Sequence, residues 1–439
     1  MDMQKVAKWL IVCGLTAVGS AYAQTDPGVR PGGAGAGGPL PGLSGNERAF
    51  FDVGLEDFEE AEGVGDGLGP RFNLDSCGGC HIQPAIGGTS PSVNPQFDIA
   101  TAFGARNTVP SFITRNGPVR EARFKSDGGV HGLFVISQRS DSTGSAGSCN
   151  IVQDNFAAQV AAGNVIFRVP TPVFGLGLLE EITDRTLTIN LAANGGTKAQ
   201  LGISGRFNRN GNDGTISRFG WKGQNPTGLV FSGEAYNVEM GITNEGFQTE
   251  RDETPECQFA QLPNDVTNTD GATGVDTISA VEKFAFFMRF LAAPTPSTTT
   301  PGGANSITEG RNAFVNIGCA HCHTPSMTTG NATVAALRNK PVNMFSDIAL
   351  HNMGPGLADD IVQGVARGDE FRTAPLWGLG QRIFFLHDGR TSNLLTAIQA
   401  HASNGNGRYP ASEANAVINN FNALSAQRKQ DLLNFLRSL

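Results

Sequence analysis

The chain has 439 residues and a net charge of −8, with no block of Lys or Arg. That length suffices for two domains and a large buried cofactor, and the charge argues against nucleic acid or an anionic membrane as partner. Gly 57 and Pro 23 beside 28 Phe describe a loop-rich protein with compact apolar centres.

The first residues read as an export signal: Lys5 and Lys8, an apolar run from Trp9 to Val18, then "AYAQ" with small residues at Ala21 and Ala23. The run is shorter than the ~20 residues of a membrane span, so residues 1–23 are expected to be a cleaved signal peptide and the mature protein periplasmic. Residues 24–43 are Gly- and Pro-rich without apolar periodicity and read as a flexible segment. A second break, "AAPTPSTTTPGGANS" at 292–306, reads as a linker between domains at 44–291 and 307–439. Helices are expected at 46–60, 176–184, 228–240, 278–291, 307–317, 392–401 and 426–438. Short strands or extended loops are expected at 128–139 and 163–170.

Two stretches, "SCGGCHIQP" and "GCAHCHTP", repeat the spacing Cys-x-x-Cys-His. Cys77 with Cys80, and Cys319 with Cys322, offer two thiols one helical turn apart for thioether bonds to haem vinyls, and His81 and His323 follow as proximal iron ligands. One closed zinc site built from both pairs would not need the two histidines. Two covalently bound haem c groups are therefore expected; the sequence is silent on bound calcium. Cys149 and Cys257 remain, either as a disulfide or as two separate buried thiols.

What surrounds each motif is similar. "NERAFFDVG" (46–54) and "GRNAFVNIG" (310–318) share the pattern of a short amphipathic helix ending in Gly. "FRVPTPVFGLGLLEE" (167–181) lies on "FRTAPLWGLGQRIFF" (371–385), and "WKGQNPTGLVFSGEAY" (221–236) on "HDGRTSNLLTAIQAH" (387–401), which sets Tyr236 opposite His401. Such repetition implies two related units.

The sixth iron position decides whether a haem passes electrons or meets an oxidant. His401 shares a helical face with Ile398 and Leu394 and is the expected distal ligand of the second haem. Met353 and Met344 are alternatives, and His387 with Arg390 could hold a propionate. At the first haem the equivalent residue is Tyr236, either a weak ligand in a haem that can open or a packed aromatic; His131 competes with it. Glu180, Glu181, Glu234 and Glu239 fall near this haem by the same repeat logic, and one could serve as general acid/base for peroxide. Trp221 is either an indole between the haems, which would relay electrons well, or a core aromatic.

The series "GCAHCHTP", "SDIALHNMG", "FRTAPLWGLG", "FLHDGRTSNLLTAI", "RFGWKGQ" and "EAYNVEMGITNE" closely resembles the bacterial di-haem oxidoreductases, also described as thiol oxidoreductases or peroxidases, from about residue 44 onward. That family is related to the di-haem cytochrome c peroxidases. The resemblance implies a mainly α fold of two cytochrome c-like domains related by duplication, with a catalytic N-terminal haem, an electron-transfer C-terminal haem, His81 and His323 proximal, and His401 sixth ligand of the second. Where the family usually continues "AI" with His-Gly-Gly-Glu-Ala, this chain has "AIQAHASNGNG", keeping His401 and losing the acidic residue. The expected activity is reduction of peroxide or a related oxidant at the first haem, with catalytic Tyr236, Glu180 and Trp221 and electrons from a small redox donor protein or mediator. A purely electron-transferring cytochrome and a di-haem oxygenase are the alternatives.

Overall fold

The computed structural model describes residues 24–102, 107–128, 132–133, 136–137, 151–250 and 263–439. Residues 1–23, expected to be a signal peptide, and His131, Cys149 and Cys257 lie outside them. The fold is mainly helical with a few short strands.

Each expected helix forms, with shifts at the ends: Gly45–Glu59, Leu176–Glu180, Gly228–Met240, Ala280–Phe290, Gly303–Asn316, Leu394–Gln399 and Ala426–Ser438. Side-chain caps fix several starts. Ser44 and Ser279 each accept from the third backbone N–H of their helix while Glu47 and Glu282 reach back, and Thr227 and Ser425 cap the helices that follow them. Three further helices, Asp184–Ala192, Gly195–Leu201 and Asn415–Ala423, carry weak sequence signals: two are rich in Asn, Thr and Gly, which propensity places in turns.

Two helix pairs repeat one packing. Helix Gly45–Glu59 crosses Ala280–Phe290 at Gly54, where a Cβ would collide with the Lys283 carbonyl and the Phe287 side chain. Helix Gly303–Asn316 crosses Ala426–Ser438 at Gly310, where a Cβ would collide with the Asp431 carbonyl and the Phe435 side chain. Four residues beyond each glycine a buried phenylalanine reaches a motif histidine, Phe58 with His81 at 6.0 Å and Phe314 with His323 at 6.3 Å between ring centroids. The corresponding glycines are thus Gly54 and Gly310, not Gly54 and Gly318 as the pattern of helices ending in Gly suggests. Gly54 is inside its helix, held there by close approach rather than by a turn.

The strands are marginal and antiparallel. Glu121–Phe124 is central to a three-stranded sheet with Gly132–Leu133 and Val165–Arg168, in the register Ala122 to Phe167. Leu350–Asn352 pairs with Glu370–Arg372, His351 facing Phe371. The two Phe-Arg dipeptides aligned in the sequence, Phe167-Arg168 and Phe371-Arg372, therefore both end a strand of an antiparallel pair.

Residues 24–43 are not the flexible segment their composition suggests. Leu40 N–H donates to Phe290 O, Gly38 O accepts from Ala292, and Arg30 N–H donates to Gly380 O. Asp26 forms a two-pronged ion pair with Arg437, both oxygens at 2.7 Å, with the two side chains 6% and 1% exposed. Glycine and proline here shape a strap that touches both halves of the chain. The two halves also share a buried charge cluster, Asp359 accepting from Arg168 at 2.6 Å and from Lys222 at 2.9 Å. Among the described residues no helix is long and apolar enough to cross a membrane.

Candidate haem sites

Each Cys-x-x-Cys-His opens onto its own cavity. The first encloses about 1140 Å³ between the surrounding atoms and the second about 1440 Å³, open solvent at the mouths included. Cys77, Cys80 and His81 line the first; Cys319, Cys322, His323 and His401 line the second. Burial pushes the Cys319 thiol up to about 12 and the Cys77 thiol higher still, so the sulfurs stay protonated.

The histidines are held alike. The Nδ1 of His81 lies 3.1 Å from Gly88 O, that of His323 3.0 Å from Phe345 O, and that of His401 2.8 Å from Ala397 O. A carbonyl can only accept, so each ring carries its proton on Nδ1 and keeps its lone pair on Nε2, the tautomer an iron ligand requires. Burial lowers all three pKa values, to about 4 for His81 and His323, so the rings are neutral. His323 and His401 line the same cavity. These paired thiols, Nε2 lone pairs and apolar walls fit haem.

The other second-cavity histidines differ. His351 is clamped between Asp347 at 3.0 Å and Glu413 at 2.8 Å. Burial opposes its charge, but Asp347 and Cys322 outweigh burial and raise its pKa well above the ordinary value. Cys322, Asp347 and His351 lie close enough to suggest a metal site, yet carboxylates occupy both nitrogens of His351 and Cys322 belongs to the haem motif. His387 is buried in the cavity wall, stacked on Phe371 at 4.3 Å. Arg390, its expected partner at a propionate, is half-exposed and turned away to Asp388 and the Gly356 carbonyl. The sequence missed Arg372 and Arg382, both buried in the second cavity's wall. Arg372 was visible as the repeat counterpart of Arg168, whereas nothing local marks Arg382. Met353 lines the same cavity, but Met344 is buried in the apolar core outside it.

The first cavity is arranged differently. Among the described residues His81 is the one imidazole in its wall, against four in the second. Tyr236 lines it as expected, but its hydroxyl donates to Glu62 at 2.7 Å. Glu180 is displaced from the expected role: it accepts from Arg289 at 2.5 Å and caps Gly228 N at 3.0 Å, outside the cavity wall. Glu181 likewise pairs with Arg289. The carboxylates that reach the cavity are Glu121, Glu234 and Glu239. Glu234 accepts from Asn225. Glu239 is pushed up to about 8, first by burial and then by Glu121 and Glu234, so it holds a proton at neutral pH. Glu180 and Glu239 could not be separated in sequence, because helix register alone does not say which wall each helix presents.

Trp221 stands between. It lines both cavities and a smaller one between them, donates its indole N–H to Val169 O at 3.0 Å, and meets the His387 ring edge-on at 6.3 Å.

Glu62 carries a testable pH effect. Burial raises its pKa from 4.5 to about 7, against the Tyr236 hydrogen bond and with help from Glu60, Asp66 and Asp57. The unfolded chain releases this proton before the folded one, so stability from Glu62 is complete below pH 4.5 and is lost as pH rises through about 7. Glu62→Gln should flatten the decline of melting temperature over that range. Parallel profiles for variant and parent would show that Glu62 does not cause it.

No curated protein matches the chain. Among solved structures it is similar to one titled "Crystal structure of a MauG-like protein associated with microbial copper homeostasis", at 17% identity over 62% of this chain and 90% of that one, with a TM-score of 0.30. The family described as "Di-haem oxidoreductase, putative peroxidase" matches residues 131–439, which starts beyond Cys80, so the first motif stands on its own spacing and cavity. With well over half its length matched, the chain belongs to the di-haem oxidoreductase family.

Proposed function

We propose that the protein is a periplasmic di-haem c-type oxidoreductase that reduces peroxide or a related oxidant in the first cavity, with electrons entering through the second. The observation that carries this reading is the asymmetry of imidazoles: His323 and His401 share one cavity with their lone pairs on Nε2, while His81 has no described imidazole facing it. Haem held there by Cys77, Cys80 and His81, and by Cys319, Cys322 and His323, would supply one-electron redox chemistry.

The chain's own groups divide the remaining tasks. Cys77, Cys80, Cys319 and Cys322 anchor the two groups, and the backbone carbonyls behind His81, His323 and His401 aim their rings. Reducing one peroxide to two waters consumes two electrons and two protons. Glu239 faces the first cavity as a protonated carboxyl and can deliver one proton to a peroxide oxygen, then be recharged. Tyr236 and Glu62 form a second proton-holding pair in the same wall. Trp221, between the cavities, is the aromatic path for electrons from second to first. The matched helix crossings at Gly54 and Gly310 and the paired Phe-Arg strand ends support two cytochrome c-like units related by duplication. The donor is a small redox protein or mediator.

The test is electron paramagnetic resonance of the purified holoprotein with cyanide and peroxide titrations. One low-spin and one ligand-accepting signal are expected. Two low-spin signals, neither responding to cyanide or peroxide in any redox state, would leave only an electron-transfer cytochrome.

A further inference from the structure

Arg372 and Arg382 present an uncompensated charge. Their side chains are 7% and 8% exposed, and both line the second cavity and the smaller cavity that Trp221 shares with it. Arg372 donates to Gly220 O at 2.8 Å and to the carbonyl of its neighbour Thr373 at 3.4 Å. The Arg382 guanidinium has no hydrogen-bond partner among the described residues, and neither arginine pairs with a carboxylate there. Nearby buried arginines are treated differently: Arg168, the repeat counterpart of Arg372, pairs with Asp359, and Arg437 pairs with Asp26. Burial lowers both Arg372 and Arg382 to about 10, with mutual repulsion adding to the effect on Arg372.

Two buried guanidiniums with open donors facing a cavity are costly without an anion and well shaped for one, because the planar fork matches a carboxylate. We propose that Arg372 and Arg382 form a carboxylate clamp that holds the propionates of the haem attached at Cys319 and Cys322. Because Arg372 and Arg382 share both cavity walls with Trp221, a clamp there would place two positive charges beside the haem's carboxylates and would raise its potential. This inference rests on reading the His323 cavity as a haem site. The same donors would also take a free carboxylate or phosphate, which is the competing source.

The experiment is a potentiometric titration of each haem in the full-length holoprotein, comparing parent with Arg372→Gln, Arg382→Gln, Arg382→Lys and the surface control Arg390→Gln. Loss of a positive charge beside bound propionates disfavours the added electron. Each Gln variant should therefore shift the reduction equilibrium of the second haem at least tenfold toward oxidised, ~59 mV for a one-electron couple. The first haem and the Arg390 control should not move, and Arg382→Lys should fall between parent and Gln. It also serves if Arg382→Gln fails to fold.

Equal potentials in all variants would overturn the clamp. A parent potential that shifts with added acetate or phosphate at constant ionic strength, and stops doing so in Arg382→Gln, would overturn the propionate assignment in favour of a free anion. Failure of the underlying haem reading looks different: Cys319→Ala with Cys322→Ala would then leave the pyridine haemochrome content unchanged.

Discussion

Asp359→Ala should destabilise the protein by about 3–5 kcal/mol in denaturant unfolding, the cost of removing one partner from a buried ion cluster. Asp359 is 1% exposed and accepts from Arg168, 3% exposed, and Lys222, fully buried. The substitution strands two cations with no solvent to take up their charge. Lys222 keeps the Arg367 carbonyl at 2.8 Å, the face of Phe371 at 3.9 Å from the ring centroid, and the more distant attraction of buried Asp369. Asp359→Asn preserves the shape but not the charge and should recover only part of the loss. The pH dependence has a definite sign. Burial would raise the Asp359 pKa, but Arg168 and Lys222 together lower it, so this stability is present above the ordinary carboxylate range and is lost as pH falls through the folded value. Burial lowers Lys222 to about 8 even with Asp359 beside it, so without that carboxylate the lysine sheds its charge at lower pH, and the variant's deficit should narrow as pH rises toward 8 and stay level above it. A deficit below about 1 kcal/mol at neutral pH would mean that water or another carboxylate reaches the cluster.

His401→Ala should convert one low-spin haem signal completely to high-spin, leave the other as it was, and give the protein a second cyanide-binding site. The imidazole is fixed by its 2.8 Å contact with Ala397 O and shares its cavity with His323, so its removal takes away an imidazole already held in that wall. His351 cannot substitute, since both its nitrogens are held by carboxylates. Added imidazole should restore the low-spin signal, as expected for an open iron position and not for a collapsed one. If the spectrum does not change, His401 is not the ligand, and Met353 in the same wall is the next to test.

The helices and the haem motifs were legible in sequence because their signals are local. Ser44 and Ser279 with Glu three residues on, the apolar spacing of 426–438 and the order Cys-x-x-Cys-His all act within a few residues. Which carboxylate faces a cavity was not, because Glu180 and Glu239 are decided by the direction in which separate helices pack. The same holds for the arginines: Arg390 stood beside a conspicuous "HDGR", yet the cavity is lined by Arg382, whose own neighbours in sequence say nothing. Residues 24–43 show the opposite error. Their composition lowers intrinsic order, but backbone hydrogen bonds to residues hundreds of positions away override it.

That strap has a consequence for how the protein is assembled. The bond from Asp26 to Arg437 spans 411 positions, so it closes only when almost the entire described chain is in place. The clasp is a final latch that ties the start of the described chain to its last helix.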